Sequence, residues 1–487
     1  MIGMQSPPIS SSLISAAQDC YDAYGLDNLP SAWQRNSLDY HYLSIYPSLR
    51  QMRPLPNDIL LPYPEIVHNL YIHIPFCSGV CEFCAYFLVA INPKKRAAVT
   101  HYLELVKQEL LLHQQHTQLD ISYLFVGGGT PSLIPPEALH TFLQFLVDRK
   151  MVGSNLLGTF ELHPEFFRNT AEAISCLTIL KQYGVGRVSI GYQVSDEHLL
   201  QASKRRHTVD FLDEAMSLLR RHGFLVNLDL MYGLAEQSLA SWEVTLRNAV
   251  AVEPDSISTY FLFVEKGTVT HHKIQKGQVR LPTHRHIQTQ HLMAQLYLES
   301  QGFYELPNDF YTRPEGDPTD FRPLYLPSDA CTLPVGAGAY GYFNNVQFCN
   351  VFDLEQYRRR VMDGRSPVWR GYHLDAIESF QRDVMFALKN DPYLDCRLFE
   401  AKYNRNPALD FARQFAILQQ LGLVQGDHSR VQLTPKGRLC VEEISSLFRC
   451  GHIVDENGTA DAAERALLDK HNYAPTYPGL EAVGSGK

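Results

Sequence analysis

No stretch of the 487-residue chain approaches the roughly eighteen uninterrupted apolar residues of a membrane-crossing helix. No basic residue precedes the short apolar pieces of Met1–Pro30, so an export signal is not expected either. Positive charge is not in excess: 43 Lys and Arg stand against 52 Asp and Glu, for a net charge of −9. Such a surface has no general attraction for phosphate backbones or anionic lipids, and neither nucleic acid nor membrane is expected as a partner. Cysteine is sparse, at 10 residues, and unevenly spread, which excludes a secreted disulfide scaffold and points to a reducing, cytoplasmic setting. What remains is ample apolar material, 45% of residues with 20% charged, in a chain about three times the usual single-domain length. One large barrel-type domain with one or two smaller modules is the natural expectation.

Residues 1–66 are rich in Ser, Pro and Tyr and hold no sustained period, so they read as an extension. From Asn69 the pattern changes to short apolar runs alternating with amphipathic ones. NLYIHIP, ISYLFVGGG, LGTFELHP, GRVSIGYQ, FLVNLDLMYGL and SISTYFLFV are separated by helical patterns at 95–113, 136–148, 211–222 and 242–252. This rhythm predicts parallel βαβ units over 67–310, in either a barrel or a doubly wound sheet. A Pro- and Asp-rich segment beginning near Leu306 predicts a connecting loop and last core segment over 311–352. Residues 353–450 read as a small helical domain ending in a hairpin, winged-helix-like, and 451–487 as a flexible tail.

Three of the cysteines crowd one loop, Cys77-Ser-Gly-Val-Cys81-Glu-Phe-Cys84, directly after the first strand of the series. Three thiolates in one loop can hold three corners of a cubane cluster and leave one iron open. Spacing alone also allows a zinc site completed by a distant His, with His73 the nearby imidazole. One βα unit later comes Val126-Gly127-Gly128-Gly129-Thr130-Pro131. Its glycines let the backbone approach a polar ligand, although a tight strand-to-helix turn would use them equally. His271, His272, His284, His286 and His291 match no standard ligand spacing and read as a solvated face or loop. The remaining cysteines read as small buried hydrophobes.

YIHIPFC with Cys-x3-Cys-x2-Cys, followed by GGGTP, resembles the radical S-adenosylmethionine (SAM) superfamily, and within it the oxygen-independent coproporphyrinogen III oxidase-like group. FELHPE, Gly191-Tyr-Gln193, KRRHT, NLDLMYGL, Val335–Tyr340, Trp369-Arg370-Gly371, Arg382-Asp383-Val384 and Leu433–Arg438 extend the likeness from about Asn69 to Phe448. The resemblance implies a partial (β/α)6 TIM-like barrel with the helical C-terminal domain, and a 4Fe-4S cluster on Cys77, Cys81 and Cys84. It further implies that SAM chelates the open iron and is split to a 5′-deoxyadenosyl radical. Tyr71, Gly128, Glu161 and Tyr340 would surround this first SAM. A second SAM would meet Phe83, Gly129, Thr130, Gln193, Arg205, Asp229 and Phe263. A flavodoxin- or ferredoxin-like electron donor is implied in the same way.

The chain also departs from the group. Cys84 is followed by Ala85-Tyr86-Phe87 where the coproporphyrinogen oxidase has Gly-Cys-Asn, and Phe261–Gly267 lacks its Asn-Tyr-Ala-His-Leu-Pro. Retained cofactor positions beside altered substrate positions lead to the expectation of a methyltransferase or cyclopropanase. Such an enzyme would use the second SAM as carbon source on an unsaturated natural-product substrate, alongside a companion methyltransferase. Anaerobic coproporphyrinogen decarboxylation and a heme-binding chaperone are the alternatives.

Overall fold

The computed structural model describes residues 12–29, 45–49, 51–56, 61–205, 211–306, 309–313 and 331–449. The expected tail over 451–487, most of the connecting loop and much of the N-terminal extension lie outside these residues.

Six strand-helix units follow one another: β1 (Ile66–Ile74) and α1 (Ala97–Gln114), β2 (Gln118–Gly128) and α2 (Pro136–Asp148), β3 (Val152–Leu162) and α3 (Thr170–Gln182). They continue with β4 (Val185–Gln193) and α4 (Leu212–Arg221), β5 (Leu225–Tyr232) and α5 (Leu239–Ala251), β6 (Ser256–Phe261) and α6 (His284–Ser300). All six strands are parallel and lie side by side in chain order. That order belongs to a barrel, since a doubly wound sheet reverses direction at its middle.

The sheet stays open. Outside β1 it continues through β7 (Thr332–Val335), which is parallel to β1, and then through the antiparallel β8 (Tyr340–Phe343), β9 (Val346–Asn350) and β10 (Val368–His373). Outside β6 it ends in two short antiparallel strands, Phe310–Thr312 and Tyr304–Leu306. β10 falls in the part of the 353–450 range read as helical; it forms because Arg370 and Gly371 pair with Cys349 and Phe348 of β9.

Alternation along the strands separates two faces. Ile72, Ile74, Val126, Phe160 and Val185 pack on Leu103, Leu139, Phe142, Leu143 and Leu180 of the helices. Each large apolar side chain so buried contributes about 1.5–3 kcal/mol. The opposite, concave face carries Tyr71, His73, Glu161, Arg187, Ser189, Asn227, Asp229 and Ser258, brought into register by the parallel ladder.

The C-terminal segment contains α8 (Ala376–Asn390), opened by a capping box between Asp375 and Glu378, with α7 (Leu354–Met362) before it. Shorter helices and the expected hairpin, Val424–Gly426 with Arg430–Leu433, follow. Helix α6 joins this segment to the main sheet. Its Gln288 and Gln295 donate to the Leu439 and Pro435 carbonyls, and Arg438 donates to Glu305 at 2.6 Å. His291 of α6 is fully buried and lies 2.9 Å from Asp309, so the solvated-face reading does not hold for it.

Glu109 on α1 is completely buried and organises the loop after β7. It accepts from the Gly336 N–H at 2.7 Å, the Asn350 amide at 2.7 Å and the Tyr357 hydroxyl at 2.5 Å. Glu109→Ala leaves three buried donors unsatisfied and is expected to cost about 3 kcal/mol, read as a lowered urea midpoint. Glu109→Gln, which keeps an acceptor, recovers part of that loss.

Candidate functional site at the carboxyl ends of the strands

After β1, Pro75 turns the chain into a short strand, Phe76–Cys77, paired with Val89–Ala90. Main-chain bonds from Val89 to Pro75 (2.5 Å) and from Ile91 to Cys77 (2.8 Å) close the base of the cysteine loop. Inside it, the Cys84 N–H donates to the Cys81 carbonyl at 3.1 Å. The GGG turn meets this loop from β2. The Gly129 N–H donates to the Ile74 carbonyl at 2.8 Å, and a Cβ there would lie 2.7 Å from the Phe76 carbonyl oxygen and 3.1 Å from Cys77 Sγ. Glycine is therefore demanded by close approach to the Phe76 carbonyl, with the Cys77 thiol beside it. Gly128 has φ +114° and a Cβ there would strike the His73 ring at 2.7 Å.

Thr130 Oγ1 lies 3.1 Å from Cys77 Sγ. Arg205, nearly buried, places Nη1 3.6 Å from Cys81 Sγ and donates through Nη2 to the Gly191 carbonyl at 2.5 Å. Burial pushes the Cys77 thiol up to about 12, partly opposed by Thr130, and the neighbouring Cys81 raises it further. Burial, then the charges of Cys81 and Cys77, raise Cys84, against a lowering effect of Arg205.

Glu161 accepts from the Gly128 N–H at 3.1 Å. Burial and the nearby Asp229 push its carboxyl up to about 8, against the Gly128 N–H and Arg187. Asp229 accepts from Ser189 Oγ at 3.0 Å and Asn227 Nδ2 at 2.8 Å, and burial raises it to about 6. Two carboxyls of different acidity thus share the floor of the concave face.

The other expected positions are less closely joined. Tyr71 bonds to His73 Nδ1 at 2.9 Å, and Gln193 sits at the end of β4 with φ +69°. Phe83 packs on an apolar cluster of Val194, Leu199, Leu200, Leu234, Leu262 and Val264, which brackets Phe263 in the chain. Tyr340 opens β8, two strands outside β1, with its ring against Phe352 at 5.7 Å. Arg187, Ser189, Asn227 and Ser258 were missed as site residues. Their signal is the polar residue at every second position in R-V-S-I, N-L-D and S-I-S.

The three thiols form no disulfide and lie near enough that Cys81 raises both others. His73 is no fourth zinc ligand, because its two nitrogens are taken by the Tyr71 hydroxyl and, at 3.0 Å, the Phe87 carbonyl. Burial holds its imidazole down to about 4. Three thiols with no fourth side-chain ligand found among the described residues suit a cubane cluster with one open iron.

Fold and site together define a protein with an open parallel barrel and a three-cysteine loop at the carboxyl ends of its strands. The chain belongs to the radical SAM superfamily, whose family model matches residues 71–249. The superfamily's cofactors are a 4Fe-4S cluster and SAM. Among its relatives, the heme chaperone HemW of Bacillus subtilis is 28% identical over 382 residues, covering 78% of this chain and 98% of the relative. The oxygen-independent coproporphyrinogen III oxidase of Escherichia coli is 26% identical over 407 residues, covering 79% and 86%. The solved structure of coproporphyrinogen III oxidase (HemN) from Escherichia coli superposes with a TM-score of 0.71 at 23% identity, covering 85% of this chain and 99% of that one.

These relatives overturn the expected methyltransferase or cyclopropanase activity. Nearly four-fifths of the chain aligns with coproporphyrinogen oxidases and heme chaperones, and the departures after Cys84 and at Phe261–Gly267 are local changes within that group. Among the described residues no helix is long and apolar enough to cross a membrane.

Proposed function

We propose that this chain is a radical SAM protein of tetrapyrrole metabolism that binds a heme-type macrocycle at the mouth of the sheet. The observation that carries the reading is the alignment spanning 98% of the heme chaperone HemW. The sequence after Cys84 agrees with it: Ala85-Tyr86-Phe87 replaces the oxidase's Gly-Cys-Asn, and Tyr86 is 67% exposed at the loop's edge, where an aromatic face suits a flat ring.

When bound, the cluster and SAM supply one-electron cleavage of a sulfonium and hydrogen abstraction from carbon. In this reading Cys77, Cys81 and Cys84 hold the cluster, with Thr130 steadying Cys77. Gly128 and Gly129 let the turn come close, while Glu161 accepts from the ammonium or a ribose hydroxyl of SAM. Tyr71 and Tyr340 flank that molecule. A second SAM would lie toward Phe83, Gln193, Arg205, Asp229 and Phe263. The electron comes from a flavodoxin or ferredoxin in the cytoplasm, and neither nucleic acid nor membrane takes part.

Coproporphyrinogen decarboxylation is the second reading, favoured by the oxidases among the relatives. Anaerobically reconstituted protein is expected to bind heme near one-to-one, with a shifted Soret band. It is expected to release no carbon dioxide from coproporphyrinogen III with SAM and reductant. Carbon dioxide release would replace the chaperone reading with the second, and failure of both assays would remove tetrapyrroles from the account.

A further inference from the structure

Glu82 lies inside the cysteine loop, one residue after Cys81, and is 6% exposed. An acid among three thiols, buried in this way, is unfavourable unless cations offset it. Lys273 Nζ donates to Glu82 Oε2 at 2.5 Å, across 191 residues of sequence, and Lys204 Nζ lies 3.5 Å from Oε1. The main chain of the same residue is held on both sides. Its N–H donates to the Ser203 carbonyl at 3.2 Å, and its carbonyl accepts from the Thr270 N–H at 3.1 Å.

The two partners are walls of the site. Ser203 and Lys204 immediately precede Arg205, whose guanidinium faces Cys81 Sγ. Thr270 and Lys273 sit on the helix Val269–Gln275, which follows β6 and the Leu262–Val264 turn packed against Phe83. Glu82 is thus the point at which the cysteine loop is tied to both segments.

We propose that Glu82 is a positioning residue: it latches the cysteine loop between the 203–205 segment and the 269–275 helix, and its charge sets how strongly Lys204, Arg205 and Lys273 favour electron entry into the cluster. The proposal rests on the cluster reading for its second half only. On the Glu82 side of the loop three cations face one carboxylate, a local positive excess, while Glu165 accepts from Ser78 elsewhere in the loop; a positive field stabilises the reduced, more negative cluster. Removing the Glu82 charge raises that excess; removing the Lys273 charge lowers it.

The test uses the full chain as Glu82→Gln, Glu82→Ala and Lys273→Met. In cluster-free protein, iodoacetamide labelling of Cys81 and Cys84, read by peptide mass spectrometry, is expected to be about tenfold faster in Glu82→Ala than in the parent. After reconstitution, the midpoint potential is expected to move positive in Glu82→Gln and negative in Lys273→Met. Unchanged labelling would overturn the latch, and potentials that stay fixed or move together would overturn the electrostatic role. A parent protein that never takes up a cluster would refute the cluster reading, while the labelling result would still decide the latch.

Discussion

Cys81→Ala is expected to yield a folded protein that takes up no stable cubane. Cys81 is only partly buried and sits in a loop, so loss of its sulfur removes little packing and stability stays within about 1 kcal/mol of the parent. Cys77 is a poorer choice for this test, since its buried thiol is joined to Thr130 and touches the GGG turn. With two thiols left and both His73 nitrogens occupied, no described side chain nearby replaces the lost ligand. The near-ultraviolet and visible absorption of the cluster, its spin signal after reduction and all SAM cleavage should vanish together. Cluster signals unchanged in the variant would place the cluster elsewhere and remove the basis of the functional reading.

The second large effect concerns pH. Glu161 has a folded value of about 8 against 4.5 for an ordinary glutamate, raised first by burial and then by Asp229. The folded chain therefore retains a proton that the unfolded chain releases. Stability is complete below about pH 4.5, declines as pH rises, and levels off above about 8. Asp229, raised from 3.8 to about 6, adds a decline of the same sign over the lower part of that window.

For Glu161 the upper bound is about 5 kcal/mol, reduced by whatever solvent reaches the carboxyl in the ligand-free state. Urea midpoints of the ligand-free parent should fall between pH 6 and 8.5, and Glu161→Gln should flatten that fall. A cationic ligand at this carboxylate binds the deprotonated form, so SAM affinity should rise over the same range in the parent and be weak and flat in the variant. A parent whose midpoint does not change from pH 6 to 8.5 would refute the assignment.

The strand-helix rhythm was readable because buried parallel strands are nearly continuous apolar runs and their helices are amphipathic, as in ISYLFVGGG and the 136–148 helix. The edge strands were not, since β10 and the pair near Thr312 are short and owe their pairing to β9 and β6 rather than to any period of their own. Lys204 and Lys273 show the same limit within the site. Each is an ordinary lysine in its own segment, and only the fold brings both to Glu82.

By itself, the sequence determined the order of units, the three-thiol loop and the family, because these depend on local spacing and hydrophobic period. Tertiary structure alone decided that the sheet is extended at both edges by antiparallel strands, and that His73 is spent on hydrogen bonds. It also decided that Glu161 and Asp229 lie close enough on the concave face, with Arg187, for Asp229 to raise the Glu161 carboxyl and for Arg187 to lower both. Protonation and ligand availability depend on what surrounds a side chain across the sheet, and residues distant in sequence supply those surroundings.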